Sequence, residues 1–280
     1  GTHVILSWIP PCGACFFCQG GQPNLCVSVR GTATPALSLD GEPVHSALGV
    51  GVFAEETVVD ARAAIPIPDD VPYDVAAVVG CAVLTGVGAV INTARVRPGA
   101  SVVVIGCGGV GLNVIQGARL AAAAPVLAVD PFESKLEIAR RFGATHTATP
   151  DALPDAIAEL TEGRGFDYAF EVVGRSATIR QAWQSTRRGG TTVVVGAGSA
   201  DDQVTFNAAE LFATERKLLG CIYGSGDVRT DFARLLRLWR AGRLDLDGLI
   251  TRRIALDDVD AAFAAMGSGE VVRSLITLGG

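Results

Sequence analysis

The stretch Val102-Val103-Val104-Ile105-Gly106-Cys107-Gly108-Gly109-Val110-Gly111 decides the fold of this 280-residue chain. An apolar strand run enters a glycine-rich turn, and a helical pattern leaves it over 109–121. Outward from this point the alternation repeats. Strand runs are expected at 101–105, 125–129, 167–172, 191–195 and 217–223, with helices at 133–142, 152–160 and 177–185. Such spacing implies right-handed crossovers and a doubly wound, parallel α/β sheet. Residues 1 to about 80 have a different texture, with little helix and many prolines. They read as loops and short strands, such as 50–59 ahead of Ile65-Pro66-Ile67-Pro68. No internal repeat or low-complexity linker is visible.

A Gly-x-Gly-x-x-Gly motif alone is a weak signal. Here Gly106, Gly108, Gly109 and Gly111 lie between a strand and a helix, and Asp130 ends the next strand nineteen residues beyond Gly111. In that setting the glycines allow backbone approach to a pyrophosphate at a helix N-terminus, and the Asp130 carboxylate accepts from ribose hydroxyls. The same carboxylate repels a 2′-phosphate and no arginine follows it, so NAD is expected rather than NADP. The competing reading is a glycine-rich turn without ligand.

Seven cysteines are unevenly spread. Cys12, Cys15, Cys18 and Cys26 have two, two and seven residues between them, whereas Cys81, Cys107 and Cys221 stand apart. Four thiolates brought together by short turns suit tetrahedral zinc, and four protein ligands leave no position for substrate, so this zinc is expected to be structural. Gly13, Gly20, Gly21 and Pro23 supply the turns. Four buried or disulfide-paired cysteines are the alternative, but the pattern fits an intracellular metal site better than a secreted disulfide framework. The net charge of -6 and the scattering of Lys and Arg argue against a nucleic-acid track. Apolar runs such as Val102 to Ile105 fall short of the roughly 20 residues that span a bilayer. A soluble, cytoplasmic protein with a small-molecule partner is expected.

The order of cysteine lobe, Gly80-Cys81-Ala82-Val83-Leu84-Thr85-Gly86, glycine fingerprint and Phe170-Glu171-Val172-Val173-Gly174 resembles the zinc-dependent alcohol dehydrogenases of the medium-chain superfamily, and the similarity extends to Val272-Arg273-Ser274-Leu275. The resemblance implies a partial, mainly β, GroES-like catalytic domain over 1–82, a Rossmann domain over 83–222 and a return to the catalytic domain over 223–280. It implies that Cys81 is a ligand of a catalytic zinc. Thr85 and Val110 would press the nicotinamide into its reactive orientation, and Lys135 would help hold the adenosine ribose. Pro131 and Val173 would flank the adenine, while backbone groups of Val195, Cys221 and Tyr223 would meet the carboxamide. Arg273 would bind the pyrophosphate and Trp8 would line the substrate pocket. Without the resemblance, Cys81 reads as a buried thiol, Lys135 and Arg273 as solvated charges, and Trp8 as core.

In that family the catalytic zinc also takes a cysteine and a histidine followed by glutamate, both upstream of the lobe, whereas this chain begins almost at the lobe. One thiolate does not make a catalytic zinc site. Neither His45 nor His146 is expected to substitute. The expectation is an N-terminally truncated chain, itself without turnover. Its parent would interconvert an alcohol and an aldehyde or ketone, with zinc lowering the pKa of the alcohol and hydride passing to the nicotinamide. The alternatives are a non-catalytic NAD-binding protein and, opposed by the cysteine lobe and Cys81, a zinc-free quinone reductase. A formaldehyde adduct of a thiol, a simple alcohol and an aromatic alcohol all remain open. A homodimer through the strand run Lys217 to Ile222 is expected because an uncovered edge exposes unpaired backbone groups, and a tetramer of such dimers stays open.

Overall fold

The computed structural model describes residues 1–29, 37–267 and 272–278. Two compact units divide the chain, Gly1–Leu84 with Gly226–Gly280, and Thr85–Ser225.

The second unit is built on six parallel strands. In chain order they are β1 (Val102–Ile105), β2 (Val126–Val129), β3 (His146–Ala148), β4 (Phe166–Glu171), β5 (Thr186–Val194) and β6 (Lys217–Gly220). Their spatial order is β6-β5-β4-β1-β2-β3. Helices α1 (Gly109–Leu120), α2 (Glu133–Phe142), α3 (Leu153–Thr161), α4 (Ser176–Ser185) and α5 (Ala208–Thr214) make the connections. Every residue of β1 and β2 is buried, which is why these strands read as continuous apolar runs instead of alternating ones. The order reverses beside β1, which lies between β2 and β4. In such sheets ligands bind outside the carboxyl ends of the strands at that switch point.

Three readings need correction. Residues 50–59 form bends, not a strand, because Leu48, Gly49 and Gly51 take left-handed φ values of 54°, 71° and 54° that interrupt an extended path. The last strand stops at Gly220, short of 223, because Tyr223, Gly224 and Ser225 are left-handed in succession. The strand expected at 191–195 is longer, starting at Thr186, with a register irregularity opposite Phe166 and Tyr168. Sequence reading missed β3 and α5, which are only 3 and 7 residues long, too short to display a clear period.

In the first unit Val4–Leu6 pairs antiparallel with Ala64–Pro66, and Arg252–Ile254 pairs parallel with Ser274–Ile276. Arg240 Nη2 to Asp70 Oδ1 at 2.6 Å and Arg253 Nε to Asp74 Oδ2 at 3.0 Å tie its C-terminal segment to its N-terminal one.

The chain leaves that unit along a helical run, Tyr73–Ala94, of 22 residues and mean hydropathy 2.1. By length and composition this run suffices to cross a bilayer, contrary to the expectation that all apolar runs are too short. Its most apolar window is 72% buried within the protein, so its hydropathy is accounted for by core packing. It is not uniformly α. Val79–Val83 and Ala89–Ala94 are π segments, a geometry that recurs at functional sites.

Candidate metal centre and dinucleotide site

The cysteine lobe is local. A four-residue helix, Phe16–Gln19, and a short turn, Pro23–Leu25, fold the segment back on itself, with Gly13 and Gly21 at φ 76° and 77°. The Sγ atoms of Cys12, Cys15, Cys18 and Cys26 all lie within 4.8 Å of one another. Cys12 and Cys18 are 3.9 Å apart, and Cys15 and Cys26 are 4.0 Å apart. Zn–S bonds of about 2.3 Å at the tetrahedral angle place sulfurs about 3.8 Å apart, whereas a disulfide requires about 2.05 Å. The cavity therefore fits zinc, and the four thiols are free of disulfides. Backbone N–H groups of Ala14 and Cys15 donate to the Cys12 sulfur at 3.4 and 3.3 Å, and that of Cys12 donates to Cys26 at 3.4 Å. The Ser28 hydroxyl and the two N–H groups hold the Cys12 thiol down to about 5, while burial pushes Cys18 up to about 12. Four thiols at this spacing cannot all ionise without a cation among them.

Among the described residues this is the only metal-sized group of three or more His, Cys, Asp or Glu side chains. Cys81 is exposed, in the first π segment, and belongs to no such group. The described residues alone thus do not form a catalytic zinc site.

The glycine turn meets each demand of a dinucleotide cradle separately. Gly106 has φ 97°, and a Cβ there would lie 2.8 Å from Val173 Cγ2. Gly108, preceding the first turn of α1, faces open space, with nothing within 4 Å of its Cβ position. That opening leaves backbone N–H groups of the helix start available to an anion. At Gly111 a Cβ would fall 1.8 Å from the Gly106 carbonyl oxygen, so the helix closes on the strand only without one. Asp130 follows β2 and is 4% exposed. Its Oδ2 accepts from the Cys107 N–H at 2.9 Å and its Oδ1 from the Phe132 N–H at 3.1 Å. Each oxygen keeps further acceptor capacity for a hydroxyl. Lys135 places its ammonium 4.9 Å from the Phe132 ring centre, and Pro131 is exposed beside it.

The side chain of Cys107 is buried, and burial, with the Asp130 charge, pushes its thiol far above the ordinary range. Burial likewise raises Cys221. Gly86 brings the helical run against α1, since its Cβ would lie 2.5 Å from the Val110 carbonyl oxygen; half-buried Thr85 is therefore held near half-buried Val110. Val173 is 42% exposed beside Gly106, and Val195 follows β5 with its N–H on the Glu171 carbonyl at 2.8 Å. Cys221 and Tyr223 follow β6. These residues share the second unit. Trp8, Cys81 and Arg273 belong to the first. Trp8 is half-buried after Val4–Leu6, and Arg273 is half-buried with its backbone bonded to Thr251.

Sequence reading passed over Glu171, seen only as part of a motif. Its side chain is fully buried, and Oε1 accepts from the N–H groups of Val173 and Gly174 at 2.8 and 2.7 Å and from Thr178 Oγ1 at 2.7 Å. It shapes the turn that presents Val173. An acidic residue at the end of an apolar strand was the available signal.

Two family profiles match the chain, one described as an alcohol dehydrogenase GroES-like domain over residues 1–69 and one as a zinc-binding dehydrogenase over 109–240. S-(hydroxymethyl)glutathione dehydrogenase of Paracoccus denitrificans is 34% identical, with 99% of this chain aligned to 78% of that protein. Alcohol dehydrogenase class-3 of Cereibacter sphaeroides is 35% identical with the same coverage. Among solved structures, benzyl alcohol dehydrogenase from Acinetobacter calcoaceticus superimposes with a TM-score of 0.91 at 29% identity, covering 100% of this chain and 78% of that one.

Proposed function

The chain belongs to the zinc-dependent alcohol dehydrogenase family, and from that premise we propose that it holds NAD across the Gly106–Gly111 turn and serves the interconversion of a primary alcohol and its aldehyde. The observation that carries this reading is the Asp130 carboxylate, set at the end of β2 by two backbone N–H groups with acceptor capacity to spare. When bound, NAD supplies the hydride acceptor. The chain's own residues bind and orient it: N–H groups at the start of α1 take the pyrophosphate, Asp130 and Lys135 the ribose, and Pro131 and Val173 the adenine. Thr85 and Val110 press on the nicotinamide, and Val195, Cys221 and Tyr223 meet its carboxamide. For Arg273 and Trp8, both in the first unit, the pyrophosphate and substrate-pocket roles rest on the family resemblance alone. Cys12, Cys15, Cys18 and Cys26 hold the structural zinc. Cys81 offers one thiolate toward a second zinc, and no step is assigned to that metal. Substrates named by the relatives, an S-hydroxymethyl thiol adduct and benzyl alcohol, bracket the class to be assayed.

Asp130→Ala is expected to weaken NADH binding about ten- to a hundredfold, since hydrogen bonds to a charged group are worth roughly 1.5–3 kcal/mol. Binding of NADPH, which the carboxylate repels, is expected to change far less. The NADH to NADPH affinity ratio, by fluorescence titration, separates this effect from loss of fold, which would lower both. Equal affinities in the unsubstituted protein would defeat the reading.

A homodimer through the edge of the sheet is part of the same proposal. β6 is an edge strand, and exposed apolar side chains gather in it and in the helix leading to it: Leu218 is 42%, Leu211 47% and Phe212 87% exposed. Pairing with a second copy covers both edges at once. Sedimentation at micromolar concentration is expected to give a dimer, and Phe212→Lys with Leu218→Lys a monomer; an unchanged sedimentation coefficient would count against it. Four thiols reserved for metal support a reducing, cytoplasmic setting.

A further inference from the structure

The loop after β6 is strained, and a polar pair from a distant part of the chain holds it. Tyr223, Gly224 and Ser225 have φ values of 55°, 68° and 47°. Two of the three carry a Cβ, which disfavours that region, and residues held there cluster at active sites and ligand clamps. Tyr223 is 2% exposed, so the strain is fixed inside the fold. The loop sits at the carboxyl edge of the sheet, where the Cys221 N–H donates to the Val194 carbonyl at 2.9 Å.

Its restraints come from the second π segment, Ala89–Ala94. Asn92 Nδ2 donates to the Gly224 carbonyl oxygen at 3.1 Å. Thr93 Oγ1 donates to Cys221 Sγ at 3.3 Å and lies 2.8 Å from Ser225 Oγ. A hydroxyl has one proton to give and two lone pairs, so Thr93 donates to the sulfur and accepts from Ser225, clamping both ends of the loop. One turn earlier, Gly88 permits the contact: a Cβ there would lie 2.4 Å from the Gly224 carbonyl oxygen. Neighbouring residues of an α-helix diverge by about 100°, yet Asn92 and Thr93 both engage one five-residue loop. Both lie in the π segment, a geometry that recurs at functional sites.

We propose that Asn92 and Thr93 are positioning residues that preorganise the 221–225 loop for the nicotinamide end of the cofactor. The proposal rests on the reading that Cys221 and Tyr223 meet the carboxamide. Preorganisation raises affinity by removing the ordering cost at the moment of binding. Loss of the clamp should therefore weaken only the half of the ligand that this loop touches.

The test compares NADH with ADP-ribose, which lacks the nicotinamide, on the full chain by fluorescence and calorimetric titration. Thr93→Val keeps the shape of the side chain and removes its hydroxyl; Asn92→Leu removes the amide. Each is expected to lower NADH affinity about tenfold, which corresponds to about 1.4 kcal/mol, and to leave ADP-ribose affinity within about twofold. Thr93→Ser is expected to restore NADH binding. Equal losses for both ligands, or no loss for either, would overturn the proposal. If Thr93→Val fails to fold, Thr93→Ala decides on the same ratio. An unsubstituted protein that binds NADH no tighter than ADP-ribose would instead strike the carboxamide reading itself, and the proposal with it.

Discussion

Chelation of zinc, or Cys26→Ser, is expected to remove one zinc per chain and to unfold the segment 12–27. Little else holds that segment together. Its helix has no buried residue, Phe16 is 82% exposed, and only Pro23, Asn24 and Cys26 are buried between Cys12 and Val27. Apparent binding of structural zinc is worth roughly 10–16 kcal/mol in small zinc-finger peptides, far more than three buried residues of this size supply. Loss of one of four thiolates removes both a ligand and a charge, so zinc retention should fall by orders of magnitude. Binding requires deprotonated sulfur and releases protons, so affinity is expected to decline as pH falls and to recover as it rises. Metal analysis and limited proteolysis across a pH series would measure both effects. Full protection of the segment with no zinc bound would defeat the expectation. NADH binding should persist in the stripped protein, because the 85–225 core contains none of the four cysteines.

Gly111→Ala is expected to abolish cofactor binding, by more than about a hundredfold. The added Cβ would stand 1.8 Å from the Gly106 carbonyl oxygen, 2.9 Å from its carbon and 3.8 Å from Val104 Cγ1. The two nearest are backbone atoms of the turn proposed to cradle the pyrophosphate, so relief requires opening the turn or lifting α1 off β1. Overpacking commonly costs about 1–3 kcal/mol, sometimes more, and about 2.7 kcal/mol already amounts to a hundredfold. Gly108→Ala is the control: its Cβ meets nothing within 4 Å, so the fold should survive and only the approach of a ligand should suffer. Comparing thermal stability with NADH affinity separates the two substitutions. A Gly111→Ala protein that binds NADH normally would show that the turn opens without cost.

Two features were legible because they are local. A zinc lobe draws its ligands from fifteen consecutive positions, so the spacing of Cys12, Cys15, Cys18 and Cys26 already states the geometry. The glycine fingerprint is similar, for the demands on Gly106, Gly108 and Gly111 arise within one turn and its first helical residues. The buried β1 and β2 also read correctly, since a strand covered on both faces needs no alternation. The expected strand over 50–59 failed on backbone conformation: Val52, Val58 and Val59 suggest extension, and the left-handed turn at Leu48, Gly49 and Gly51 overrides them.

By itself, then, the sequence determined the parallel sheet, the four-thiol lobe and the acidic residue at the end of β2. Only the tertiary structure decided how the polar side chains behind them are spent. Asn92 and Gly224 are 132 positions apart, and no propensity or period links them. The π segments that carry Cys81 and the Asn92–Thr93 pair lie within a single apolar run, Tyr73–Ala94, whose hydropathy does not mark them off from α-helix. Glu171 likewise looks like a strand-end charge until the folded turn supplies three donors to one oxygen. A buried polar group must find its partners wherever the fold brings them, and that choice is made in three dimensions, after local sequence has set the elements.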